Sequence, residues 1–163
     1  MLYERYYAYG IGICYRYAYS SEDVMEILND GFMKVFDNLN RYDTDQPFKP
    51  WFRKIVVNTA IDYYRRSVRF LQVEPLQEEH TQIHNTESLY YLEKDDLMQL
   101  LNDLPEVLRL VFNLYEIEGY AHEEIAQMLQ ISAGTSRSYL TRAKQRLRMK
   151  YKEIYPGDYE QII

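Results

Sequence analysis

Cysteine is nearly absent from this chain: Cys14 stands alone among 163 residues, so no internal disulfide can form and nothing oxidised staples the fold. Its neighbours are apolar and no histidine lies close in sequence to activate it, which argues against a nucleophilic role and for a reduced, cytoplasmic setting. Long apolar runs are missing too, and the mean hydropathy is −0.51, so no membrane span is expected. Residues 6–15 are uncharged, but Glu4 and Arg5 cancel where a secretory signal needs net positive charge. The six glycines are scattered, so no loop cradles a phosphate. Only three histidines occur. His80 and His84 have a helical metal spacing, but Thr81 stands where a zincin needs glutamate, and the surrounding segment is acidic. No metal site and no cofactor is expected, and an enzyme reading finds no support.

Net positive charge is also lacking: the formal sum is −6. Its distribution says more than the total. Residues 1–71 hold 10 Lys/Arg against 9 Asp/Glu, residues 72–106 hold 1 against 9, and residues 107–163 hold 8 against 7. Within the last segment, residues 135–152 carry seven cations and no acid. Two locally basic regions therefore flank an acidic middle.

What is present is helical periodicity. Leu2, Tyr6, Tyr9, Ile13 and Tyr17 recur at helical spacing and predict a tyrosine-rich helix over residues 2–19. Ser20 or Ser21 can cap a second helix, residues 22–39, with Glu22 and Asp23 at the positive end of its dipole. Its stripe is Val24, Ile27, Leu28, Phe32, Val35, Phe36 and Leu39. Residues 40–47 read as a loop. Pro50 is tolerable only in a first turn, which starts a third helix near Phe48 and carries it to about Arg66. Residues 70–87 lose periodicity, contain Pro75 and turn acidic, as a linker does.

Periodicity returns near Ser88 with Leu97, Leu100, Leu101 and Leu104. Pro105 opens a helix with Leu108, Val111, Phe112 and Tyr115 on its inner stripe, ended by Gly119. A short helix over residues 122–130, a turn containing Gly134, and a basic helix over residues 135–155 make a helix-turn-helix. The acids of His122-Glu123-Glu124 suit the dipole of the short helix. Leu140, Ala143 and Leu147 are spaced to pack inward, with Arg137, Ser138, Thr141 and Arg142 on another face. Such side chains reach base edges in a major groove, while the cations beyond meet phosphates. The fold is predicted all-α: two small helical domains joined by an acidic linker, the second containing the helix-turn-helix.

The third helix adds a different chemistry. Its aromatics, Asn58 and the run Tyr63-Tyr64-Arg65-Arg66 suit nucleic acid whose bases are exposed, because aromatic faces stack bases and guanidiniums hold phosphates. A core helix with a solvated basic end is the plainer alternative for that segment alone.

Four motifs in order resemble the small sigma-70-like factors of the extracytoplasmic-function (ECF) class, dissociable specificity subunits of bacterial RNA polymerase. LYERYY is similar to the opening helix and EDVMEILNDGFMKVFDNL to the helix that binds core polymerase. FKPWFRKIVVNTAIDYYRR is similar to the −10-reading segment, and LPEVLRLVFNLYEIEGYAHEEIAQMLQISAGTSRSYLTRAKQRLR to the −35-reading domain. The resemblance implies three segments: residues 1–69 for polymerase binding and −10 reading and melting, residues 70–87 as linker, and residues 88–163 for −35 reading. It implies that a base of the opened −10 strand enters a pocket at Asn58, with Phe48 near the loop that holds it, and that Tyr63, Arg65 and Arg66 contact the duplex fork. Asn29 and Asp30 would lie in the polymerase contact. Arg137, Ser138, Thr141 and Arg142 would face the −35 duplex, with Tyr139 as a further contact. The implied partners are core RNA polymerase, promoter DNA (duplex at −35, single-stranded at −10) and an anti-sigma factor, with no membrane insertion of this chain.

Four positions depart from the pattern. Asn29 replaces a frequent Gln, Pro50 a common small residue, Ala121 a usual capping Ser or Thr, and Gln130 a frequent Gly. The chain begins close to its first motif, which leaves open a natural extension ahead of Met1. A stand-alone helix-turn-helix regulator, dimeric on a palindrome, would account for residues 88–155 but assign no role to residues 22–66. A helical adaptor would account for the acidic linker but not for the basic helix.

Overall fold

The computed structural model describes residues 1–18, 20–71 and 96–154, and among these every regular element is helical. The chain divides into two compact units, Met1–Glu87 and Ser88–Ile163.

The first unit holds α1 (Leu2–Cys14), α2 (Ser21–Asn38), a 3₁₀ turn (Leu39–Arg41) and α3 (Phe48–Leu71). Ser20 caps α2: its hydroxyl accepts the Asp23 N–H at 3.0 Å, with Glu22 and Asp23 in the first turn. The core is built from Ile13 and Cys14 of α1, Val24, Ile27, Leu28, Phe32 and Val35 of α2, and Phe52, Val56, Val57, Ala60 and Ile61 of α3. Thr59 is buried among them without cost, because its hydroxyl donates to the Ile55 carbonyl at 2.8 Å. Gly10 marks the closest approach of α1: a Cβ there would stand 2.7 Å from Leu28 Cδ1 and 3.0 Å from Phe52 Cζ.

Three expectations shift. Helix α1 ends at Cys14, not at residue 19, because Arg16 and Tyr17 donate to the carbonyls of Ile13 and Cys14 and so tighten the last turn. This tightened turn still buries Tyr17 and Ala18. Phe36 and Leu39 leave the predicted stripe and stand 45% and 40% exposed, since the apolar row of α2 runs on past the part covered by the core. Helix α3 continues five residues beyond Arg66, there being no Gly or Pro to stop it. Two residues of the predicted linker, Phe70 and Leu71, are thus helical, and residues 72–87 lie outside the described residues.

The second unit holds α4 (Asp96–Asn102), α5 (Glu106–Phe112) running on into a π-helical turn (Asn113–Ile117), α6 (His122–Leu129) and α7 (Ala133–Ile154). Leu101, Leu104, Leu108 and Ala143 form a buried cluster, with Val107, Phe112, Tyr139 and Leu147 packed against it. Leu110, Val111, Leu114, Ile125, Leu129 and Leu140 are buried as well. Arg109 is fully buried, and its Nη1 donates to Asn102 Oδ1 at 3.0 Å.

The π turn is the main departure here. The Glu118 N–H reaches back five residues to the Asn113 carbonyl, 3.0 Å, and the wider turn rotates the residues beyond it. Tyr115, expected on the inner stripe, is 38% exposed. Gly119, at φ +78°, ends the segment.

The connection between α6 and α7 closes as a Schellman motif. Gln130 takes the left-handed conformation at φ +57°, and the Ile131 N–H donates to the Ala126 carbonyl at 3.0 Å. Ser132 then caps α7 by accepting the Thr135 N–H at 2.9 Å, so this helix begins at Ala133, two residues earlier than predicted. The predicted stop at Pro156-Gly157 lies outside the described residues.

Candidate nucleic-acid interface

On the first unit, α3 supplies an aromatic end and a polar face. Phe48 is half-buried at the helix start, with ring centroids 4.5 Å from Tyr6, 5.5 Å from Tyr42 and 5.5 Å from Trp51. Tyr42 also packs on Trp51 at 4.7 Å, and its hydroxyl donates to the Gln46 carbonyl across the loop. Inside that loop Asp43 Oδ1 accepts the Asp45 N–H at 3.0 Å. The loop between α2 and α3 is thereby folded onto the aromatic end of α3.

Asn58 is exposed. Ten residues of straight helix, about 15 Å of rise, separate it from Phe48. Trp51 is closer, seven residues away on the same face, and Tyr42 packs against it at a tilt of 41°. Trp51 is one of the aromatics of this helix that the sequence already offers for stacking exposed bases. Tyr42 is not singled out by the sequence, because its place beside them needs the loop geometry.

The basic end of α3 is held by α2. Tyr63 is half-buried and donates its hydroxyl to Asp23 Oδ1. That bond, with desolvation and the Asp23 and Glu26 charges behind it, pushes the phenol well above its ordinary range. The Arg66 guanidinium lies 5.7 Å from the Tyr63 ring centroid and pairs with Asp30 at 3.3 Å and Glu26 at 3.8 Å. Arg65 pairs with Asp62 at 3.5 Å, and Lys34 of α2 reaches the other oxygen of Asp62 at 3.0 Å. Asn29 is exposed and Asp30 half-exposed on α2. Asp30 and Arg66, expected to face different partners, are thus an ion pair.

On the second unit, Arg137, Ser138, Thr141 and Arg142 all stand exposed in the first half of α7. Tyr139 does not join them: it is half-buried against the Leu101, Leu104, Leu108 and Ala143 cluster. Leu140 and Ala143 are buried and Leu147 packs on the core, so the inward row holds the helix while the polar row faces out. Arg137 pairs with Glu123 of α6 at 2.9 Å, and Lys144 pairs with Glu116 at 2.5 Å. Lys150 pairs with Asp103. The arrangement presents guanidiniums and hydroxyls from one helix whose far side is anchored, the geometry that enters a major groove.

Among the described residues no cluster of three or more His, Cys, Asp or Glu could hold a metal ion, and no helix is long and apolar enough to cross a membrane. His80 and His84 lie outside the described residues.

Residues 2–70 match the family described as Sigma-70 region 2, and residues 94–147 match Sigma-70, region 4. The ECF RNA polymerase sigma factor SigE of Mycolicibacterium smegmatis is 30% identical over 142 residues, 83% of this chain and 54% of that protein. The ECF RNA polymerase sigma-E factor of Escherichia coli is 29% identical over 146 residues, 82% of this chain and 76% of that protein. The chain thus spans about half the length of the mycobacterial relative. The fold is similar to that of the sigma factor RpoE from Bartonella quintana, solved with the anti-sigma factor NepR, at a TM-score of 0.53 and 22% identity, covering 93% of this chain and 92% of that one. With region 2 matching over the first unit and region 4 over the second, the chain belongs to the sigma-70 family and is an RNA polymerase sigma factor of the ECF class.

Proposed function

We propose that this chain binds core RNA polymerase through α2, around Asn29 and Asp30, and directs it to promoters with two separate readers. Helix α7 reads the −35 duplex with Arg137, Ser138, Thr141 and Arg142. Helix α3 takes the opened −10 strand, with Asn58 on the Watson–Crick edge of an unstacked base and Tyr42, Phe48 and Trp51 as the aromatic end nearby. Unstacking costs about a few kcal/mol, which stacking and hydrogen bonds to the extruded base offset. Tyr63, Arg65 and Arg66 stand at the fork. Residues 1–69 form the polymerase-binding and −10 domain, residues 70–87 a linker, and residues 88–163 the −35 domain. The chain works in the cytoplasm, has no catalytic centre of its own, and is held in reserve by an anti-sigma factor.

One observation carries the reading: α7 is capped by Ser132, anchored by Leu140 and Ala143, and turns four polar residues outward from its first turns. The test is a gel-shift comparison of a selected promoter duplex with the chain alone and with the chain plus core polymerase. Tight, promoter-specific binding is expected only with polymerase present. Tight sequence-specific binding by the free chain as a dimer would instead make it a stand-alone regulator.

A further inference from the structure

The acids at the start of α6 suit the helix dipole, but the dipole alone does not account for where they go. Glu124 bends back, and its Oε2 accepts the Ala121 N–H at 2.8 Å. Glu123 leaves the helix, and its Oε1 accepts from Arg137 Nη2 at 2.9 Å. The preceding residue is tied down in parallel: His122 Nδ1 lies 2.9 Å from Oγ of the fully buried Ser136, and its ring stacks on Tyr115 with centroids 4.5 Å apart at 20°. Two consecutive residues of α6 therefore grip two consecutive residues of α7.

We infer that Glu123 is a positioning residue for promoter recognition: it holds the Arg137 guanidinium in one orientation, so that this arginine reads a single −35 base pair. The inference rests on the −35 role proposed for α7. A guanidinium carries five N–H donors in a rigid fork, so one engaged Nη2 leaves donors for a guanine edge. An arginine already held loses less rotamer freedom on binding. The same carboxylate repels phosphates, so it disfavours the loose contact in which Arg137 meets only backbone. Neutralising Glu123 thus has two opposed effects. Affinity for DNA in general rises, while preference at the base pair read by Arg137 falls.

The test uses holoenzyme reconstituted from core polymerase and the full-length chain, competed over a library of −35 sequences. Arg137→Ala first identifies which base-pair position loses its preference. Glu123→Gln is expected to weaken preference at that same position roughly three- to five-fold, the scale of an exposed ion pair, with equal or tighter overall binding. In an Arg137→Ala background, Glu123→Gln should change no single position. Glu123→Asp, whose shorter side chain falls short of Arg137 but keeps its charge, should lose the same preference without any gain in overall binding, and thermal unfolding of each variant checks that the unit still folds. A uniform gain on all sequences would make Glu123 a repelling charge only and overturn the inference. So would a position-specific effect that persists without Arg137. A wild-type holoenzyme with no −35 preference at all would instead defeat the role of α7, a separable failure.

Discussion

The guanidinium of Arg66 lies 3.3 Å from the carboxylate of Asp30, so a residue assigned to promoter DNA is held by one assigned to polymerase. Both side chains are substantially exposed, and such a pair is worth about 0.2–1 kcal/mol. That is enough to compete with a phosphate. Asp30→Ala is expected to raise the affinity of the free chain for a single-stranded −10 oligonucleotide roughly two- to five-fold at low salt. In an Arg66→Ala background the same change should have no such effect, since the cycle isolates the pair. Fluorescence anisotropy measures both, and equal gains in the two backgrounds would reduce Asp30 to general repulsion.

Gly10 and Gly12 sit two residues apart on one helix yet lead to opposite outcomes. A Cβ at Gly10 meets Leu28 and Phe52 at 2.7 and 3.0 Å, whereas one at Gly12 meets nothing within 4 Å. Gly10→Ala should destabilise by about 1–3 kcal/mol through overpacking. Gly12→Ala should stabilise by about 0.5–1 kcal/mol, the ordinary helix gain. Thermal or urea unfolding of the two variants side by side decides it.

Helix α6 carries a weak residue at each end. Ala121 offers no side-chain acceptor to the first turn, so only the backward half of a capping box, from Ala121 N–H to Glu124, is made. Gln130 holds the left-handed conformation that glycine adopts freely. Ala121→Ser should add about 1 kcal/mol. Gln130→Gly should add about 0.5–1 kcal/mol, the relief of left-handed strain less the entropy of a freer chain. Unfolding of the second unit monitored by circular dichroism is the measurement.

Much of this fold can be read from single residues because the signals are local. Ser20, Pro50 and Ser132 each mark a helix start through one hydrogen bond or one missing donor, and the buried rows of α2 and α7 obey the 3.6-residue period. What escaped has a shared cause. The π turn after Phe112 leaves no mark in the hydrophobic pattern, so Tyr115 is assigned inward when the wider turn rotates it out. Tyr17 extends the periodicity of α1, although it is buried through a tightened turn and not through further helix. The pairs Asp30–Arg66, Asp23–Tyr63 and Glu123–Arg137 depend on how two helices face each other. No spacing within one helix can reveal that.

Cys14 gives a pH dependence whose sign is fixed. Burial pushes its thiol from 9.0 up to about 12. The unfolded chain therefore releases the proton first as pH rises. The contribution to stability is intact below pH 9 and is lost between there and about pH 12, where the folded chain also ionises. Across that window wild type should lose up to about 1 kcal/mol per pH unit more than Cys14→Ala, tyrosine ionisation being common to both. At pH 8 the native thiol should react with iodoacetamide at least about 100-fold more slowly than in denaturant, because the thiolate is the nucleophile and the site is closed. Comparable rates in the two conditions would mean that the first unit opens readily around α1.

Asn58 is exposed, so its replacement tests function with little effect on folding. Asn58→Ala should leave unfolding within about 0.5 kcal/mol of wild type. Binding to core polymerase, assigned to α2, should be unchanged. Promoter opening should fall about five-fold or more, since losing hydrogen bonds to an extruded base costs about 1–3 kcal/mol. Permanganate reactivity of unpaired thymines in the holoenzyme–promoter complex reports opening directly. Trp51→Ala should reduce it as well, through loss of an aromatic face two turns away that is worth about 1–3 kcal/mol per stacked base. Normal opening by Asn58→Ala would move the −10 pocket off this face of α3. Weakened polymerase binding would place Asn58 in the other interface.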